Sequence, residues 1–511
     1  MITPIRILLL LFYVACIMAV IMVIAPAQIP VSEDFSLRFY TVNDLQGEDS
    51  AKHTPEAQIA QAVAVADLTD SIVNQAAKEG SSMPKPQAEV KEQIGEVKFS
   101  IQFADTLNPV QLDHFFESLT TIFDRKELVR VVHYGDSQIE GDRISDYLRT
   151  RLQGKFGGCG VGLVPMLEKQ AFRSTLQTRY APNWKKIAIY GNEAARNKGK
   201  FGLLGATFRF TPKYDSAKNV AAKTYQTWVK FEKTKFNDTD QRSTKIEELK
   251  FLYVAPEARI MTNLKIEVAK KEQTQTNKDT TLQFMLDYAE KGEVAIKEIQ
   301  TQFSKMHIGF EAQAGSDFFG VALDCKEGVA VDNVAMRGSS GVEFTKMEEA
   351  FIRYQLEQMK VKLIILQFGV NVVPNPRSNY DFYEKMFYSQ LRYFKTIAPD
   401  VDILVVGVSD MARKEGTTYA SYPNIRKIRD AQRNAAFKAG CAFWDLYEAM
   451  GGNNAMVSWV RHKPALASKD YTHFTAKGAR LVGEMLYNAL MKEYETYKVR
   501  TNKNIIQKVL N

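Results

Sequence analysis

Two short segments, far apart in the chain, hold the residue types that nucleophilic catalysis needs. The apolar run 129–134 ends in Gly135-Asp136-Ser137, and a helix pattern begins just after it. This places a serine hydroxyl at the mouth of a strand-to-helix turn, where ligands collect in open α/β sheets. Such a hydroxyl is a poor nucleophile at its free pKa and needs an adjacent base. The chain has 6 histidines, and His473 has a carboxylate, Asp470, just upstream in Asp470-Tyr471-Thr472-His473. One loop can then carry the base and its orienter, the aspartate holding one ring nitrogen so that the other faces Ser137. An acyl oxyanion also needs donors. The backbone N–H groups of Ser137 and Gly338 and the side-chain amide of Asn371 are the candidates. The chemistry expected of this set is acyl transfer through a serine ester, with no metal and no cofactor.

Each of these residues has a plainer reading. Gly135-Asp136-Ser137 would serve as an ordinary turn, His473 as a helix cap and Asn371 as a turn residue. His133 lies in the first strand and reads as a satisfied, half-buried side chain, and His462 as a surface loop residue. Asp136 reads as an acceptor for the turn backbone rather than as a reacting group.

The order of the motifs narrows the choice. Gly135-Asp136-Ser137 resembles block I of the GDSL/SGNH esterase superfamily. Gly338, in Arg337-Gly338-Ser339-Ser340, follows the strand-like run 331–336 and resembles the glycine of block II. Gly369-Val370-Asn371 follows the run 361–368 and resembles block III, with Val372 where the family usually has Asp. Asp470-Tyr471-Thr472-His473 resembles the Asp-x-x-His of block V. The blocks span residues 135–473, and four in order, each at a strand end, form a far more specific signal than any one of them. The resemblance implies a Ser137–His473–Asp470 triad and an oxyanion hole built from Ser137, Gly338 and Asn371.

These motifs must be positioned by a frame. Strand-like runs at 129–134, 331–336, 362–368, 403–408 and 441–446 alternate with helical patterns at 342–359, 380–397, 424–439 and 476–491. Such alternation means a parallel sheet with helices on both faces. The expected fold is an SGNH-type doubly wound sheet, a flavodoxin-like three-layer α/β/α arrangement. Ser137 and Gly338 are about 200 residues apart, far more than one crossover needs. Short alternating runs such as 225–231, 264–268 and 305–310 fill that gap. Residues 170–325 are therefore read as an inserted β-sandwich, between SGNH parts at 98–169 and 326–495. Proteins resembling this chain carry a carbohydrate-binding-like sandwich at this place. Trp184, Tyr225 and Trp228 either stack on sugar rings or fill the core of the insert. The glycine run 154–162 lacks Gly-Lys-Ser/Thr and follows a helix, so a loop shaping the edge of the site is expected rather than a phosphate loop.

At 511 residues with 45% hydrophobic side chains, the chain has room for two or more packed units. A net charge of +8, with scattered basic residues, gives no case for a nucleic-acid partner. The uncharged apolar run 7–25 is about as long as a membrane span. Residues 1–27 are read as a transmembrane anchor or signal peptide, 28–97 as a flexible tether and 496–511 as a C-terminal tail. Arg6 before the apolar run and Glu33-Asp34 beyond it put the bulk of the chain outside the cytoplasm. The family resemblance implies a chain anchored in the inner membrane and facing the periplasm, or secreted to it where the N-terminus is cleaved. Of the cysteines, Cys16 lies in the apolar run, and Cys159, Cys325 and Cys441 are widely separated, so no disulfide framework is expected. The function expected is an O-acylated glycan esterase, with peptidoglycan as one such glycan. Its rivals are a glycan O-acetyltransferase using the same triad beside a membrane acyl exporter, and a non-catalytic glycan-binding protein.

Overall fold

In this computed structural model the chain is described over Gln28–Ser32, Phe35–Arg38 and residues 100–510, apart from residue 108 and short segments within 169–315. The strands Gln28–Ser32 and Phe35–Arg38 pair antiparallel. They fall where a tether was expected to begin, and Ile29, Val31, Phe35 and Leu37 are β-favouring residues. The rest of the expected tether, like the apolar run 7–25, lies outside the described residues. Among the described residues no helix is long and apolar enough to cross a membrane.

A five-stranded parallel sheet carries the frame of the expected fold. Its strands are β1 (Leu128–Gly135), β2 (Gly328–Ala335), β3 (Val361–Gln367), β4 (Asp402–Val406) and β5 (Ala442–Trp444). Their spatial order is β2-β1-β3-β4-β5, with every neighbouring pair parallel. The order reverses at β1: the chain steps to one side to form β2, then to the other to form β3. That reversal opens a crevice at the carboxyl end of β1, the switch point of a doubly wound sheet. Every residue of β1 is buried, including Arg130 and His133, which pure apolar patterning would not place there. Arg130 is tolerated because it donates to Asp332 at 2.6 Å, to the Met359 carbonyl at 3.0 Å and to Asp324.

Helices α1 (Asp113–Thr120), α2 (Ser145–Phe156), α3 (Glu349–Gln358), α4 (Asp381–Ile397), α5 (Ile425–Lys438) and α6 (Ala476–Leu510) complete the layers. The third starts later than its sequence pattern, after a 3-10 turn at Phe344–Lys346. Helix α6 runs on through the stretch read as a tail. No Gly or Pro interrupts residues 492–510, and Tyr494 packs on Phe116 of α1 and Phe156 of α2.

The insert between α2 and β2 forms two antiparallel sheets, layered as in a β-sandwich. Strands Thr280–Leu286, Ile260–Glu267, Lys305–Ala312, Tyr225–Lys233 and Leu176–Tyr180 form one sheet. The other holds Ala295–Gln300, Glu248–Val254, Asp317–Asp324, Ala206–Phe210 and Trp184–Ala188, and Gly160–Val164 pairs with Asp317–Asp324. Phe310 of the first sheet meets Trp184, Phe210, Phe251 and Phe318 of the second, which fixes the packing of the layers. Trp184 is therefore core. Tyr225 and Trp228 are half-buried, the latter with its ring edge-on to His307.

Two expectations are corrected here. Cys159 and Cys325 form a disulfide, although 166 residues separate them. The antiparallel register sets Gly160 opposite Asp324, so the next residue along each strand, Cys159 and Cys325, meet; sequence spacing carries no trace of that pairing. The glycine run is also not an active-site loop. A Cβ on Gly158 would lie 2.4 Å from the Val329 carbonyl oxygen, and one on Gly160 only 2.0 Å from that of Leu323. These glycines let the insert's first strand press backbone against backbone on β2 and on Asp317–Asp324.

Candidate active site

The site assembles at the switch point, from the loops that follow β1, β2 and β3 and from the loop that precedes α6. Gly135 is required at the end of β1 because a Cβ there would lie 2.9 Å from both the Gln367 carbonyl oxygen and the Ile139 side chain. Asp136 follows, fully buried. Its carboxylate accepts the Gln138 backbone N–H at 3.0 Å and those of Val370 and Gly369. Burial pushes this carboxyl up to about 7 against the pull of those N–H groups. Asp136 thus ties the nucleophile's turn to the loop after β3 and does not face the reacting atoms as an acid or base.

Ser137 Oγ lies 2.8 Å from His473 Nε2. On the far side of the ring, His473 Nδ1 lies 2.8 Å from Asp470 Oδ2. The other carboxylate oxygen, Oδ1, accepts the backbone N–H groups of Thr472 and His473, each at 3.0 Å. Burial raises the Asp470 carboxyl, but these hydrogen bonds outweigh it and hold the group below its ordinary value. An ionised Asp470 accepts from Nδ1–H, which leaves Nε2 unprotonated and able to take the serine proton. The three residues stand 336 and 3 positions apart in sequence and are joined as a continuous hydrogen-bonded chain.

The oxyanion candidates come from neighbouring loops. Gly338 adopts φ +83° with open space where a Cβ would stand, so its backbone conformation, not crowding, calls for glycine. Asn371 donates from Nδ2 to the Ser339 carbonyl at 2.8 Å. An amide nitrogen has two N–H groups, so this bond fixes the side chain and leaves one donor for a substrate oxygen. Since β2 and β3 flank β1, their loops stand on either side of Ser137.

The remaining histidines behave differently. His133 is fully buried rather than half-buried, held between Gln367 Oε1 at 3.1 Å and Ser145 Oγ at 3.0 Å, and burial pushes its imidazole down to about 4. His462 bonds the Pro464 carbonyl at 2.8 Å, away from Ser137. Cys159, Glu247 and Cys325 group closely enough for metal ligation, but the disulfide occupies both sulfurs.

Several contacts around the site were not legible in the sequence. Gln138 donates to Ser409 Oγ at 2.6 Å and to the Thr472 carbonyl at 3.0 Å. Arg143 reaches the carbonyls of Ser137 and Phe474. Arg337, beside Gly338, pairs with Glu140 through both carboxylate oxygens. Tyr471, at φ +57°, stacks on Tyr419 with ring centroids 3.7 Å apart. No spacing rule predicts these, because apart from the bond of Arg143 to Ser137 each contact joins two different loops.

Known proteins share parts of this fold. Residues 304–481 match the model of the GDSL-like Lipase/Acylhydrolase family, a stretch that contains Gly338, Asn371, Asp470 and His473 but not Ser137. The insert separates the nucleophile's strand from the rest. A solved peptidoglycan O-acetylesterase shares the fold, with TM-score 0.55 and 22% identity over 75% of this chain and 96% of that one. A family two carbohydrate esterase from Clostridium thermocellum, solved with cellohexaose, aligns with TM-score 0.23 and 9% identity over 54% of this chain and 96% of that one. A GDSL-like lipase from Parabacteroides merdae aligns with TM-score 0.23 and 17% identity over 32% and 72%. No curated protein matches the chain. Over residues 304–481 the chain resembles the GDSL-like lipase/acylhydrolase domain. It is an ester-bond hydrolase.

Proposed function

We propose that this protein is a serine esterase that removes O-acyl groups, chiefly O-acetyl, from a glycan such as peptidoglycan. The observation that carries the reading is the hydrogen-bonded chain Ser137–His473–Asp470 at the switch point. In this mechanism Ser137 Oγ attacks the ester carbonyl carbon while its proton passes to His473 Nε2. The tetrahedral oxyanion is held by the N–H groups of Ser137 and Gly338 and by the Asn371 amide. Collapse breaks the bond to the sugar oxygen, which leaves as the alcohol with the proton from His473, and an acyl-Ser137 remains. Water, deprotonated by His473, then attacks the acyl-enzyme and releases the carboxylic acid.

The glycan substrate is supported by the two-sheet insert and by the fold shared with a peptidoglycan O-acetylesterase. The same reading puts the site in the periplasm, on a chain anchored there or secreted through the apolar run 7–25. The Cys159–Cys325 disulfide supports that placement, since disulfides persist in oxidising compartments.

The test uses the full chain and its Ser137→Ala variant, with p-nitrophenyl acetate and O-acetylated peptidoglycan as substrates and a chito-oligosaccharide as acceptor. Serine-dependent release of free acetate from the glycan is the expected result. Serine-dependent transfer to the oligosaccharide would make the protein an O-acetyltransferase, and glycan binding with no turnover would make it a binding protein.

A further inference from the structure

His473 lies on a loop, not on a strand or helix, yet its ring must hold the 2.8 Å approach to Ser137 Oγ to within a few tenths of an ångström. Four successive carbonyls of that loop each accept a hydrogen bond. Tyr471 accepts from the Ala412 N–H at 3.0 Å, Thr472 from Gln138 Nε2 at 3.0 Å, His473 from the Ser468 N–H at 2.8 Å, and Phe474 from an Arg143 terminal nitrogen at 3.2 Å. Two of these donors are side chains from the nucleophile's own segment, and their targets are the carbonyls on either side of the base.

We infer that Gln138 and Arg143 are positioning residues that brace His473 against Ser137; the inference rests on the roles proposed for those two residues above. Gln138 is next to the nucleophile and buried, and both N–H groups of its amide are used, one on Thr472 and the other on Ser409 Oγ. Arg143 spans the gap differently. One terminal nitrogen holds the Ser137 carbonyl at 3.0 Å, the other holds Phe474, and Nε holds the Glu140 carbonyl at 2.7 Å. A planar guanidinium suits three carbonyls in fixed directions, and a lysine ammonium on a flexible stem does not.

The backbone around Arg143 is bent to serve this arrangement. Asp142 and Ile144, its two neighbours, adopt φ +69° and +66°. For a β-branched residue this is a true outlier, and such strain persists only where the surroundings hold it. Here Arg149 grips the buried Asp142 carboxylate with two bonds of 2.7 and 2.8 Å. The bend turns Arg143 back toward the nucleophile instead of outward along α2.

The experiment compares the full chain with Gln138→Glu, Arg143→Ala, Arg143→Lys and Ser137→Ala, on p-nitrophenyl acetate, with a melting curve for each. Gln138→Glu keeps the shape and removes both N–H donors. A base displaced by about 1 Å loses on the order of 100-fold in rate. The expected result is a kcat lowered by about 10- to 100-fold in Gln138→Glu and in both Arg143 variants, with KM within about twofold of the parent. The acid limb of the pH–kcat/KM profile also moves, which a loss of stability alone would not cause. Added guanidinium ion restores part of the Arg143→Ala turnover, and Arg143→Lys stays impaired. Folded variants that turn over within about twofold of the parent overturn the brace, as does a loss carried wholly by KM. Where Arg143→Ala does not fold, Gln138→Glu decides by the same criteria. A Ser137→Ala variant with parental turnover sinks the esterase site itself, whereas an inactive Ser137→Ala beside unaffected brace variants sinks the brace alone.

Discussion

Ser137 and His473 are 2.8 Å apart, and the residues around them make separable contributions. Ser137→Ala should lower kcat on p-nitrophenyl acetate on the order of 10⁴- to 10⁶-fold. Asn371→Ala removes one oxyanion donor and should cost about 10²- to 10³-fold in kcat with KM little changed, read in steady-state kinetics. His133 makes a different, pH-dependent contribution. Its folded imidazole titrates near 4 instead of the ordinary 6.5, so the folded state binds the proton less well than the unfolded chain. Stability is therefore lost as pH falls from about 6.5 toward 4. Asp136 works the other way: its carboxyl is raised from 3.8 to about 7, so its contribution weakens as pH rises through that window. Melting temperature against pH should thus be compared between the parent and His133→Gln. The difference should favour the parent less at pH 4.5 than at pH 7; a constant offset would refute the assignment.

Among the elements, the parallel sheet does the positioning, and the insert is joined to it by close backbone contact. Glycine is needed at position 160 because any side chain would run into the Leu323 carbonyl. Gly160→Ala should force the pairing with Asp317–Asp324 apart and lower thermal stability by a few kcal/mol, as expected for overpacking at a strained conformation (about 1–3 kcal/mol for each cause). A calorimetric scan reads this directly. The helical patterns were legible because amphipathic spacing is a local property. The long α6 was legible to Met491, where the apolar face is regular; its continuation depends on Tyr494 meeting α1 and α2 and on Arg500 meeting Asp113 of α1, contacts that no window of sequence contains. The hairpin Ala412–Glu415 and Thr418–Ser421, which carries Tyr419 against Tyr471, was likewise invisible to periodicity.

For the whole molecule, the disulfide fastens the insert at its base, where the chain enters it at Cys159 and leaves it at Cys325. It closes a loop of 166 residues, for which chain-entropy arguments give about 5 kcal/mol as an upper figure and measured cases more often 2–4. Cys159→Ser paired with Cys325→Ser should lower the melting temperature, and a reducing agent should lower that of the parent but not of the double variant. Turnover of p-nitrophenyl acetate should survive at permissive temperature, because Cys325 lies just before the start of β2 at Gly328, whereas Ser137 follows the carboxyl end of β1, opposite Ala335 at the far end of β2.

The types of chemistry were set by sequence alone. A serine after a buried strand, a histidine with an aspartate just upstream, a glycine and an asparagine after later strands, and strand–helix alternation are local patterns. They suffice to single out the candidate residues and to expect the doubly wound fold. Only the tertiary structure decided how those residues meet. The order β2-β1-β3 puts three loops around Ser137, the insert's register joins Cys159 to Cys325, and Gln138 and Arg143 reach the carbonyls beside His473. The physical reason is common to all three: each depends on which strands and loops become neighbours, and that is fixed by packing across hundreds of residues rather than by local spacing.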